Sequence, residues 1–319
     1  MDHCELDLIV NEYAERVIHW LQSWEFLSAF PECSQILIER IQKIPAWQLA
    51  LPVISCLATG GTLEAGQVMT AAWYPGYLAS EILDNVEDKE FIPDRFLPSP
   101  EIATNLATGL IFIAFRALTL ILDPERAYQA ARIFSESGFQ ATFGQHRDLM
   151  KAPASVEDAL DEYWEVIILK SGSVFRTATA GGAAAGTSDE RYIDALGDYG
   201  TALGVMLQLI DDCRDVFTRT QEKVNWEITL PLLLYLMRVG EDHIDYPEVA
   251  TKAEWSDMLK GIGVITAISS ILLEWKTCAL KSLEPLEDSL EKHLLETIPS
   301  IFLERIPLST KEVLDGEPS

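Results

Sequence analysis

The chain has 319 residues, 48% of them hydrophobic and 23% charged. That is enough apolar content for a sizeable core and too much for disorder over most of the length. Its 24 Lys and Arg stand against 50 Asp and Glu, a formal charge of −26. So acidic a chain lacks the basic patches that grip nucleic-acid phosphates or an anionic membrane surface.

The acidic start lacks the positive leader of a signal peptide. Cys4, Cys33, Cys56, Cys213 and Cys278 are scattered, with no CxxC pair, which fits neither a disulfide framework nor a zinc site. Taken in chain order, apolar residues recur at helical spacing over 8–27, and Gly60-Gly61 marks a connection. Residues 91–100 hold Pro93, Pro98 and Pro100, so a loop is expected there, with Ser99-Pro100-Glu101 opening the next helix. Helical spacing continues over 106–122, 160–174 and 192–209. The stretch 107–122 contains Arg116 and is short for a membrane span. A small-residue cluster around Gly181, Gly182 and Gly186 suits close helix packing. Residues 240–257 read as a polar connection, 259–280 as a further helix, and 308–319 as a frayed tail. The expectation is an all-α chain, residues 1–319 forming one large helix bundle, cytoplasmic and without a transmembrane segment.

Two places set a knot of carboxylates into apolar helix: Glu81, Asp84, Glu87 and Asp88, with the neutral amide Asn85 among them, then Asp211, Asp212 and Asp215. In each, an Asp is followed four residues later by another on the same helix face, where like charges repel. Buried carboxylates need partners. Mg²⁺ takes oxygen ligands, typically one or two carboxylates with waters and substrate phosphate oxygens, so a divalent cation is the natural partner.

At these residues the sequence resembles the trans-prenyl diphosphate synthase (polyprenyl synthetase) family. Asp84-Asn85-x-x-Asp88 is similar to its first aspartate-rich motif, DDxxD, with Asn in the second place. Gln208-x-x-Asp211-Asp212-x-x-Asp215 matches the second motif, QxxDDxxD. Gly144-Gln145-x-x-Asp148-Leu149 resembles its GQxxDL segment, the stretch from Lys170 to Phe175 its KTGxLF segment, and Thr229-Leu230-Pro231 its TLP run, all in the family's order. The resemblance implies antiparallel helices around a central cavity, with the two motifs facing each other and holding Mg²⁺ that grips an allylic prenyl diphosphate. It makes Asp84, Asp88 and Asp211 metal ligands, with Asp212 and Asp215 supporting. Lys170 would contact the diphosphate, and Gln145 and Gln208 would lie near it or its metals. Ala79 and Ser80 would line the tail tunnel, their small size admitting C15 or longer, with Tyr77, Tyr74 and Trp73 on nearby turns. A homodimer is also implied.

The sequence departs from the family where isopentenyl diphosphate would bind. The counterpart of the basic GKRxR segment is 44–48, with no Lys or Arg. The expected His is Tyr77, the Arg pair after the first motif is reduced to a displaced Arg95, and the Lys before TLP is Glu227. An acceptor diphosphate would lack the charge-assisted contacts that recognise it. The leading expectation is therefore a terpene synthase that ionises a prenyl diphosphate and lets the cation cyclise or capture water. The alternatives are a prenyltransferase with an atypical acceptor or head-to-head coupling, and a non-catalytic regulatory subunit of such a synthase.

Overall fold

The computed structural model describes residues 3–217, 228–249 and 251–304. The tail 308–319 and Glu227 lie outside these residues. Among the described residues every regular element is helical: α1 (His3–Gln22), α2 (Pro31–Ile41), α3 (Ala46–Ala58), α4 (Leu63–Glu87), α5 (Pro100–Leu118), α6 (Pro124–Met150), α7 (Val156–Ile167), α8 (Ser173–Gly186), α9 (Glu190–Phe217), α10 (Leu230–Val239), α11 (Lys252–Gly261), α12 (Val264–Ser282) and α13 (Leu290–Glu304). A 3-10 turn follows α1 at Glu25–Ala29, and a π-helical turn joins α7 to α8 at Ile168–Gly172. The chain divides into two compact units. The first comprises Met1–Phe139, Val174–Gly200 and Ser282–Glu296, and the second Gln140–Ser173, Thr201–Lys281 and Thr297–Ser319.

In the first unit α4 packs against both α3 and α5. Thr62 opens α4 by accepting from the Ala65 amide at 3.2 Å, and Ser99 opens α5 by accepting from Ile102 at 3.4 Å, as the Ser-Pro start foretells. The loop before α5 is tied down by Asp94, which takes the Phe96 and Leu97 amides at 2.8 Å each and pairs with Arg40 at 2.6 Å. The small residues of α8 serve close packing: a Cβ on Gly182 would meet the Pro52 carbonyl oxygen of α3 at 2.4 Å. Cys33 and Cys56 are buried free thiols, and burial pushes the Cys33 thiol up to about 11. By length and composition α5 is apolar enough to cross a membrane, longer than the stretch read from the sequence, and 44% of its most apolar window is buried in the protein.

The second unit corrects three expectations. The periodic run 259–280 is broken at Gly263, whose φ is +73°, and α11 and α12 meet there at 79°. The supposed connection 240–257 already contains the start of α11, capped by Thr251. The run 160–174 is likewise not one regular helix, because the π-helical turn falls inside it.

Candidate active site

The first acidic cluster closes α4, in the first unit. Asp84 is half-buried, Asp88 is the exposed C-terminal cap, and Lys89 leaves the helix with φ 63°. The last turn of α4 carries no basic side chain, so its carboxylates sit at the negative pole of the helix, where anions are disfavoured. Asn85 spends its amide on the Glu81 carbonyl at 2.7 Å. One turn back, Tyr77 stacks on Trp73 with ring centroids 5.2 Å apart and donates to Glu81 at 2.8 Å. Trp73 and Tyr74 are buried, as is Ala79, while the Ser80 hydroxyl returns to the Tyr77 carbonyl at 2.7 Å. Trp47 and Gln48 on α3, within the stretch that lacks basic residues, are buried too, and Phe175 joins Trp47, Trp73 and Tyr77 in one aromatic cluster.

The second cluster closes α9, in the second unit, and its two leading carboxylates live in different surroundings. Asp211 is exposed and pairs with Arg214 at 2.9 Å. Asp212 turns inward. Tyr163 donates to its Oδ2 at 2.6 Å and Gln208 to its Oδ1 at 2.9 Å, and the Leu230 amide at the N-terminus of α10 donates as well. Removal from water pushes the Asp212 carboxyl above the usual range, while those three donors pull the other way. Asp215 lies on α9, and its side chain is outside the described part.

Gln208 also accepts from Ser171 at 2.8 Å, which ties α9 to the π-helical turn that carries Lys170. Such turns recur at functional positions. This one is pinched between two helices: a Cβ on Gly144 of α6 would lie 2.8 Å from the Lys170 amide nitrogen, and one on Gly204 of α9 would lie 2.2 Å from the Ser171 carbonyl oxygen. The pinch brings the Lys170 ammonium within 3.5 Å of Asp148 on α6. Gln145, next to Gly144, is buried. A cavity of about 90 Å³ opens here, lined among others by Asp148, Lys151, Tyr163, Lys170, Gln208 and Asp212. That is far below the roughly 300 Å³ of a drug-sized pocket; its scale and polarity suit a phosphate group.

The motifs in the sequence thus locate Lys170, Gln208 and Asp212, and the structure brings these three to one cavity. Tyr163 and Lys151 belong to the same cavity and were not singled out. No spacing rule reaches them, since Tyr163 meets Asp212 across 49 residues. Among the described residues no three His, Cys, Asp or Glu side chains are gathered as a preformed metal site. The donor chemistry nevertheless fits Mg²⁺, which needs only one or two carboxylates when substrate oxygens complete its shell, and the cation-poor end of α4 is electrostatically completed by such an ion.

A family model described as polyprenyl synthetase matches residues 99–227. A short chain isoprenyl diphosphate synthase of Methanothermobacter thermautotrophicus is 26% identical over 280 residues, covering 80% of this chain and 85% of that protein. Among solved structures, a geranylgeranyl pyrophosphate synthetase from Pyrococcus horikoshii superposes with a TM-score of 0.74 at 20% identity, over 94% of this chain and 98% of the other. A polyprenyl synthase from Caulobacter crescentus, complexed with calcium and isoprenyl diphosphate, gives 0.74 at 19% identity, over 93% and 95%. At these identities the structural likeness shows an all-α isoprenoid synthase fold.

Proposed function

We propose that this chain is a member of the trans-prenyl diphosphate synthase (polyprenyl synthetase) family, as its likeness to that family supports, and that it transfers the allylic chain of a prenyl diphosphate to an acceptor, with Mg²⁺ as cofactor. Relatives that are prenyl diphosphate synthases favour transfer over the cyclisation or water capture placed first from sequence. The observation that carries the proposal is the cavity in which Lys170, Gln208 and the anchored Asp212 meet. Separating diphosphate from an allylic carbon builds negative charge on the departing group, and the barrier is the cost of that separation. Lys170 supplies a fixed positive charge where it develops. Gln208, held by Ser171 and Asp212, offers a polar group whose orientation is already set.

Asp84, Asp88 and Asp211 are the carboxylates proposed to hold Mg²⁺, which when bound neutralises charge on the diphosphate. Asp212 acts as an anchor, since both of its oxygens already accept hydrogen bonds. Small side chains at Ala79 and Ser80 support a tail of C15 or longer. On the acceptor side, Arg40 is paired with Asp94, and Arg95 with Glu39. Isopentenyl diphosphate is therefore a weak acceptor in this proposal. Exposed Phe112 and Phe115 on α5 support a second copy of the chain as a partner.

The test is diphosphate release from farnesyl or geranylgeranyl diphosphate with Mg²⁺, alone and with added acceptor. Release that depends on an added acceptor and yields a longer chain is expected, stronger with a second allylic diphosphate than with isopentenyl diphosphate; release that needs isopentenyl diphosphate alone would overturn its reading as a weak acceptor. Asp84→Ala and Asp211→Ala should lose it while remaining folded. A cyclic product from one allylic diphosphate alone overturns transfer, and no release under any condition points to a regulatory subunit.

A further inference from the structure

We infer that Lys151 is a second diphosphate-binding cation, acting beside Lys170 in the cavity of the second unit. This rests on the diphosphate function proposed above. Lys151 follows the last turn of α6, and its ammonium lies 2.8 Å from Asp148 Oδ1, while Lys170 approaches Oδ2 of the same carboxylate at 3.5 Å. One carboxylate thus holds two ammonium groups in the wall of one cavity. The other carboxylates there are Glu162, which faces Arg147 at 4.0 Å, and Asp212, which is held by neutral donors.

In a chain with 24 Lys and Arg against 50 acids, two lysines in one small cavity offset carboxylates that would otherwise repel an incoming anion. A diphosphate has enough oxygens to accept from both ammonium groups at once, and a single lysine surrounded by three carboxylates would hold it poorly. A lysine beyond a helix C-terminus also favours the helix dipole. That role alone would not require its ammonium to line the cavity.

The experiment is calorimetric titration of the full-length chain with inorganic pyrophosphate in excess MgCl₂. Lys151→Gln should weaken binding roughly tenfold, the scale of one lost hydrogen bond from a charged donor. Lys281→Gln removes the same charge from the exposed end of α12, outside the cavity lining, and should leave affinity within about twofold, because salt screens an exposed charge that does not touch the ligand. Circular dichroism melts verify that both variants are folded. Equal binding by wild type and Lys151→Gln overturns the assignment of Lys151. Absence of pyrophosphate binding by the wild type overturns the diphosphate function itself, a separate failure.

Discussion

At Asp212 three donors converge on a carboxylate that burial nonetheless pushes upward. The sign of the consequence follows from linkage. A folded-state pKa above the unfolded value means stability is fully present below the unfolded value and is lost as pH rises through the folded one. In Asp212→Asn that loss disappears. The melting temperature of the variant, relative to wild type, should therefore climb from about pH 4 toward neutrality when both are measured in EDTA. A gap that does not change with pH would show that burial of the charge costs nothing. Asp212 itself was legible from its motif, because QxxDD places donor and acceptor one helical turn apart. Tyr163 was not, because a hydrogen bond between α7 and α9 leaves no trace in local spacing. Lys151 escaped for a different reason: an Asp and a Lys three residues apart near a helix end read as an ordinary surface pair.

Elements show the same split. The opening of α5 was legible because Ser, Pro and Glu each act locally, through a cap, a preset φ and the helix dipole. The break at Gly263 was hidden because apolar residues keep their helical spacing on both sides of a left-handed glycine. The π-helical turn was hidden because hydrophobic period does not register one inserted residue. Its shape is imposed by neighbours: Gly144 on one side and Gly204 on the other leave no room for a Cβ. Gly204→Ala should displace the backbone of the turn. Overpacking of this kind costs about 1–3 kcal/mol, readable as a lower midpoint in urea unfolding, and Lys170 should lose its reach toward diphosphate. Gly138, with nothing within 4 Å of a built Cβ, is the matched control, and Gly138→Ala should leave the midpoint unchanged or higher. If both substitutions behave alike, the pinch does not shape the turn.

For the whole molecule, helical periodicity was enough to give the all-α class. The division into two compact units was not legible, because its boundaries fall inside α6, α9 and α13, and at the first residue of α8 and the last of α12, rather than in linkers, and composition shifts only where a linker exists. The exposed face of α5 also sets an expectation for assembly. Phe112 is 69% exposed, and Phe115 meets Phe134 of α6 edge-on at 5.3 Å. Phe112 and Phe115 are three residues apart and so share one helix face, and exposed apolar patches mark association sites. Sedimentation should find a dimer, and Phe112→Asp should shift it to monomer; a wild-type monomer at every ionic strength would refute the docking of a second copy. Each copy brings −26 to the encounter, so apolar attraction must overcome long-range repulsion before the rings can touch. Dissolved ions shorten that repulsion from about 10 Å of reach at 0.1 M to about 3 Å at 1 M. Pairing should accordingly tighten as salt is added, the reverse of what a seam stitched by opposite charges would do.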